Sequence, residues 1–354
     1  LLAERLRNLI RARGPIPFRD WMEAALYDPV DGYYNRSDRK RWGRAGDYRT
    51  SPERSELFAA TFARYFAKLY DELGRPAQWT IVEGGAGEGS FARGVLRTLA
   101  DEFPAVLVVT RYCLEDLSPD SVTRAQRTLS EFADRVSFAG VSDLGIGIYF
   151  SNELLDAFPV HRISSAGELY VTLDAGNKFT WTTSEFSTPR LAEFLERHSI
   201  KLAPEQIIEV DLAIDDWLTS VAARMKRGYV VTVDYGTEAS DLYDPVLRPR
   251  GTLRAFSKHE FVDDVLRAPG EYDITSSVNW TQVKATGERL GLQVVEFASQ
   301  DKFLLRAGLL EQLGKRLERI QTEADRTRLT MDAKEMILPG GMASSFQVLV
   351  QRRV

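Results

Sequence analysis

The chain has 354 residues, 44% hydrophobic and 27% charged, a composition that folds instead of staying disordered. Its 46 Lys and Arg against 51 Asp and Glu leave a net charge of −5, which disfavours a broad basic surface and, with it, nucleic acid as a partner. A single cysteine, Cys113, forms neither an intrachain disulfide nor a multi-cysteine zinc site, so a reducing compartment and a cytoplasmic location are expected.

The opening LLAERLRNLIRARG predicts an amphipathic helix stopped at Gly14 and Pro15. It lacks a signal-peptide core, and no run approaches the ~20 apolar residues of a membrane span, so no membrane insertion is expected. From Ile16 to Glu53 the chain is rich in aromatics, Gly and Pro, with a short helix at Phe18–Leu26 and a cluster of Trp21, Tyr27, Tyr33, Tyr34, Trp42 and Tyr48. Such a segment is too apolar for a free linker and is read as a lid, packed on a core or lining a ligand site. A helix over Ser55–Leu73 completes an N-terminal lid segment, residues 1–73.

After GRPAQ, short apolar strands alternate with helices. Strands are predicted at Trp79–Val82, Val106–Leu117, Val136–Phe138 and Ile146–Phe150, and helices at Ser90–Phe103 and Ser118–Phe132. This βαβαβ order predicts an α/β fold with a doubly wound, mostly parallel sheet, and residues 74–160 are assigned as its cofactor-binding core. Residues 161–226 read as an insertion, with a hairpin around AGN, a helix at Pro189–His198 and another over Ile207–Lys226. Residues 227–354 return to the sheet through strands at Tyr229–Asp234, Gln293–Phe297 and Phe346–Val350. They also hold a loop-rich, substrate-side stretch from Gly236 to Asn279, a helix at Thr281–Leu290 and a long charged helix over Gly308–Arg328.

The strongest chemical signal is Ile81-Val82-Glu83-Gly84-Gly85-Ala86-Gly87-Glu88-Gly89-Ser90, between a strand and a helix. Glycines let the backbone turn sharply and approach a ligand, and the helix start offers free N–H groups. A phosphate loop needs Lys then Ser/Thr after the last glycine, but Ser90 and Phe91 follow here. A dinucleotide loop spaces its glycines two and then three apart, whereas Gly85, Gly87 and Gly89 are two and two apart. The second strand ends in CLEDLSP. An acid there can accept both hydroxyls of a ribose, and Asp116 is the choice, with Glu115 the alternative on the opposite strand face. A further strand ends at SNELLDAFPVH, which puts Asn152, Glu153, Asp156 and His161 just past a strand terminus.

The Glu-x-Gly-x-Gly-x-Gly pattern resembles the first motif of class I S-adenosylmethionine-dependent methyltransferases. The wider set, IPFRDWMEAALYDPVDGYY, GDYRTSPERSELF, FSNELLDAFPVHR, VVTVDYG, RPRGTLRAFSKH, PGEYDITSSVNWT and GMASSFQVLVQ, resembles the MidA family from about residue 15 to the C-terminus. That group includes a mitochondrial complex I assembly methyltransferase. The resemblance implies S-adenosyl-L-methionine as cofactor and methylation of an arginine on a partner protein. The alternatives are a small-molecule acceptor and a non-catalytic assembly factor. The departures are Ala86 and Glu88 in the loop, where relatives often carry Pro and Arg, and Ser-Ser in DITSSVNW, where many carry Ala-His.

On this reading Glu83, Gly85, Gly87, Gly89, Asp116, Asp143 and Asn152 bind the cofactor, with Glu83 near its methionine part. Arginine stays protonated at ordinary pH, so carboxylates must orient it and take its proton. Glu153 and Asp156 are assigned that catalytic role, three apart on one face if a helix begins there. Tyr33, Tyr34, Thr50, Ser51, Pro52, His161 and His259 are expected on the substrate side. The three histidines, His161, His198 and His259, have no ligand spacing, so no metal site is expected, and His198 is expected to cap the helix before it.

Overall fold

A computed structural model describes residues 1–36, 56–257, 260–338 and 345–354. The described chain forms two compact units. The first takes residues 1–36, 155–218, 236–257 and 260–283; the second takes 56–154, 219–235, 284–338 and 345–354. Neither unit is a continuous stretch, and this partition differs from the four consecutive segments expected. Residues 1–36 share a core with parts of 155–218 and do not stand alone.

The second unit is built on the central sheet. Its strands are numbered β1 Trp79–Gly84, β2 Thr110–Glu115, β3 Val136–Ser137, β4 Gly145–Asn152, β5 Met225–Thr237, β6 Gln293–Ser299 and β7 Phe346–Arg353. Across the sheet they run β3-β2-β1-β4-β5-β7-β6. All neighbours from β3 to β5 are parallel, and β7 is antiparallel to both β5 and β6. The expected doubly wound, mostly parallel sheet is therefore present. The chain winds outward from β1 in both directions, so the switch point lies between β1 and β4.

A parallel sheet covered on both faces needs apolar residues at successive positions, and Ile81, Val82, Ile148, Phe150, Val230 and Val231 are all fully buried. The helix Glu56–Glu72 packs on one face through Phe58, Phe62 and Phe66. Phe91, in the first turn of the helix Ser90–Glu102, stacks on Phe150 of β4 with ring centroids 4.3 Å apart and planes 10° from parallel. Burying each such ring contributes about 1.5–3 kcal/mol, and this pair fixes the start of the helix against the sheet.

The first unit centres on an antiparallel sheet. Gly167–Leu173 pairs with Phe179–Ser184 along one edge and shares the other between His161–Ser164 and Ile16–Pro17. Ile207–Val210 pairs in turn with His161–Ser164. Phe18, Trp21 and Tyr33 are fully buried, and Phe18 lies 5.0 Å from Trp181. A smaller sheet joins Arg254–Ser257 to Glu260–Phe261 and Asp273–Thr275.

Three predicted elements are corrected. Val106–Leu117 is not one strand. Pro104, whose ring presets the first turn, starts a helix at Pro104–Val109, and the strand begins only at Thr110. Ile207–Lys226 is not one helix. Ile207–Val210 is a strand, and Asp211 Oδ1 accepts the N–H groups of Ala213 and Ile214, so the helix starts after that acid. The long helix over Gly308–Arg328 is two, Leu309–Arg319 and Glu323–Ile337. Ile320 is extended, and Thr322 caps the second helix by accepting the Asp325 N–H.

Candidate active site

The glycine loop lies at the carboxyl end of β1, beside the switch point. Gly85, Gly87 and Gly89 have φ of 68°, 52° and 74°, a left-handed conformation that glycine adopts without a Cβ penalty. Gly85 and Ala86 direct their N–H groups to the Glu115 carbonyl. Gly89 precedes the helix Ser90–Glu102 and provides no side-chain cap, which leaves the first-turn N–H groups available to a polar ligand.

The two acids that end β2 separate. Glu115 turns to Arg224, whose guanidinium donates to Oε1 at 2.5 Å and to Oε2 at 3.4 Å, and it also accepts the Tyr149 hydroxyl at 3.1 Å and the Val141 N–H. Asp116 turns to the glycine loop. It accepts the Gly87 N–H on Oδ2 at 2.9 Å and the Ser118 N–H on Oδ1 at 2.8 Å. These two bonds hold the Asp116 carboxylate against the glycine loop.

Glu83, at the end of β1, is buried and accepts the Tyr112 hydroxyl at 2.7 Å. Burial pushes its carboxyl up to about 8, against the lowering effect of the Tyr112 hydroxyl and with an added push from Asp116. Asn152, at the end of β4, donates through Nδ2 to Glu153, while its buried Oδ1 has no partner among the described residues. A buried amide oxygen in that state needs a donor. Positive-φ glycines, an uncapped helix start, an acid fastened to the loop and an orphaned acceptor at adjacent strand ends fit a nucleoside-bearing, amine-bearing ligand.

Other expected residues stand elsewhere. Asp143 precedes β4 at its amino end, is exposed, and pairs with Lys226 and the Gly145 N–H, so the structure does not bring it to the loop. No helix begins at Asn152, so Glu153 and Asp156 share no helical face. Glu153 has φ of 52°, and its N–H donates to the Val233 carbonyl. Asp156 is buried in the first unit, where its carbonyl accepts the Ser276 N–H. A non-glycine residue in the left-handed region stores strain, a feature found at functional sites.

In the first unit, Tyr33 is fully buried and Tyr34 donates to Asp273 at 2.6 Å. His161 lies within the antiparallel sheet with Nδ1 2.7 Å from Glu168, which also accepts the Ser187 N–H. His198 caps the helix Arg190–Arg197, with its ring on Phe194. Thr50, Ser51, Pro52 and His259 lie outside the described residues, as do Trp42 and Tyr48. No cluster of metal-ligating side chains occurs among the described residues, and none of the helices searched is long and apolar enough to cross a membrane.

Sequence reasoning missed Tyr112, Tyr149, Arg224 and Asp234. Asp234 is fully buried in β5 and accepts the Leu154 N–H at 3.2 Å. Its only signal was its place in VVTVDYG, which carried no role. Arg224 reaches Glu115 from 109 positions away, and no local pattern encodes such a pair.

Comparison with known proteins agrees with this geometry. The profile of a family of S-adenosyl-L-methionine-dependent methyltransferases matches residues 61–298. A COG1565 superfamily protein from Burkholderia thailandensis, solved bound to S-adenosyl-homocysteine, is 29% identical with a TM-score of 0.87; the likeness covers 99% of this chain and 92% of that one. The mitochondrial protein arginine methyltransferase NDUFAF7 homolog of Drosophila melanogaster is 26% identical over 82% of this chain and 70% of its own length. Human mitochondrial NDUFAF7 is 24% identical over 96% and 81%. The expected cytoplasmic location is corrected by these relatives, which are named as mitochondrial proteins.

Proposed function

Because the chain belongs to this family of S-adenosyl-L-methionine-dependent methyltransferases, we propose that it transfers a methyl group to an arginine side chain of a partner protein. The cofactor half of the reading rests on the glycine loop fastened to Asp116. The arginine half rests on the relatives named as protein arginine methyltransferases.

In this proposal the first-turn N–H groups of Ser90–Glu102 and the Asn152 amide oxygen hold the polar methionine end of the cofactor, and Asp116 accepts the ribose hydroxyls. Glu83 faces the positive charge that the cofactor carries, so binding favours its ionised form. When bound, S-adenosylmethionine supplies an electrophilic methyl group on a sulfonium whose sulfur keeps the bonding pair as the methyl leaves. The protein's task is then positioning. An arginine nitrogen provides the electron pair for the new C–N bond only as its guanidinium loses a proton, and Glu153, held by its backbone and by Asn152, is assigned as the acceptor of that proton.

The test is calorimetric titration with S-adenosylmethionine, followed by transfer of a labelled methyl group to arginine-containing peptides and to free guanidines. Binding that Asp116→Ala weakens by roughly 1.5–3 kcal/mol, with label appearing as methylarginine in peptide, is expected. A folded chain that does not bind the cofactor overturns the reading, and label found only on small molecules overturns its arginine part.

A further inference from the structure

The loop that follows β1 carries an acid of its own. Glu88 lies between Gly87 and Gly89, both at positive φ, and one residue before the N-cap of the helix Ser90–Glu102. The dipole and the uncapped first-turn N–H groups of a helix attract a carboxylate within their reach, so Glu88 is a built-in rival for any ligand carboxylate that docks there. In the structure it is held elsewhere. Its Oε1 accepts Arg124 Nη1 at 2.7 Å, and Arg124 belongs to the helix Pro119–Thr128 that follows β2. The same guanidinium reaches Asp120 one turn earlier, Nη2 to Oδ2 at 3.0 Å. That helix lies directly against the loop, since a Cβ on Gly89 would come within 3.2 Å of Ala125 Cβ and 3.1 Å of Leu129 Cδ1. Arg124, anchored on its own helix by Asp120, therefore draws Glu88 onto that helix and away from the start of Ser90–Glu102.

We propose that Arg124 is a positioning residue for cofactor binding, which holds Glu88 off the start of the helix Ser90–Glu102 and so keeps those N–H groups open to the cofactor's carboxylate. The proposal rests on the placement of the methionine end given above. A carboxylate at a helix start and a partly exposed ion pair are interactions of similar strength, and this pair is partly exposed, at 32% for Arg124 and 28% for Glu88. Glu88 thus leaves the helix start free only while a cation holds it. A plain brace between loop and helix behaves differently, because the loss of one half of a brace is not repaired by removing the other half.

The experiment titrates the full chain with S-adenosylmethionine and with 5′-methylthioadenosine, which keeps the nucleoside and lacks the amino-acid carboxylate. Wild type, Glu88→Gln, Arg124→Met and the double variant are compared, and urea midpoints show that each is folded. Arg124→Met is expected to bind S-adenosylmethionine about fivefold more weakly, the ~1 kcal/mol that a carboxylate gains at a helix start, and to bind methylthioadenosine as wild type does. The lost positive charge acts through space in the opposite sense, since it would favour a cationic cofactor. Glu88→Gln alone should bind both ligands like wild type, and added to Arg124→Met it should restore the affinity for S-adenosylmethionine. If Arg124→Met does not fold, Arg124→Ala is measured in its place. Unchanged S-adenosylmethionine affinity in the Arg124 variant, an equal loss for methylthioadenosine, or a double variant no better than the single one each overturns the role. A wild-type chain that binds methylthioadenosine as tightly as S-adenosylmethionine overturns the placement of the methionine end, and the proposal with it, so the two failures are told apart.

Discussion

Replacing Glu83 by Gln tests the buried acid at the end of β1 directly. Folding raises this carboxyl from an ordinary 4.5 to about 8, chiefly by burial. At ~1.4 kcal/mol per unit, the ionised form costs the folded state on the order of 5 kcal/mol at most. The sign follows from linkage. Between the two values the folded protein binds more protons than the unfolded chain, so this group's cost is absent below about 4.5, grows as pH rises, and is complete above about 8. The amide introduced by Glu83→Gln cannot ionise, and it still offers an oxygen to the Tyr112 hydroxyl. Urea unfolding of the cofactor-free proteins at pH 5.5 and 8.5 is the assay. Ionisation of Glu83 should favour Glu83→Gln by about 1.4 kcal/mol at the lower pH and by several kcal/mol at the higher one. Asp211 adds the same pH dependence to both proteins and cancels in the comparison. Parallel stability curves across that range would refute the reasoning, since they would mean that Glu83 is solvated or already paired.

Gly87→Val should abolish S-adenosylmethionine binding in a folded protein, because φ of 52° is costly for a β-branched residue; calorimetry reads the loss, and unchanged affinity counts against the loop. Arg224→Met leaves Glu115 without its cation at a largely buried position and should cost about 2–4 kcal/mol. Adding Glu115→Gln should recover part of that loss in a double-mutant cycle, and strict additivity would show that the pair does not interact. Phe91→Ala removes the ring stacked on Phe150 and should destabilise the chain by about 3–5 kcal/mol, seen as a lower denaturant midpoint.

The sheet was legible because its strands are short apolar runs set between clear turn signals, and because the glycines of residues 84–89 carry their own spacing. Elements failed where local propensity met a competing signal. The Val-rich residues 106–109 read as strand, but Pro104 turns them into a helix that leaves Val108 mostly exposed. Asp211 read as part of a helix when it is the cap that begins one. At the site, the loop carried its own glycine spacing, while period-two alternation says only that Glu115 and Asp116 face apart and not which of them meets the loop. The Tyr112–Glu83 and Arg224–Glu115 bonds join separate strands and a helix end, and such pairs exist only once the sheet register is set.

The pairing of Ile16 with Val171 bears on how the protein is made. Phe18 and Trp21, fully buried in the finished molecule, lie against Trp181 and Phe179, which leave the ribosome much later. At about 5–20 residues per second, these two aromatics wait roughly ten to thirty seconds for the strands that cover them. During that interval the nascent chain carries these aromatics uncovered while the strands of residues 79–152 are already being made. Chaperone capture of stalled chains should therefore concentrate on lengths short of residue 181, and fall once the hairpin Gly167–Ser184 has emerged.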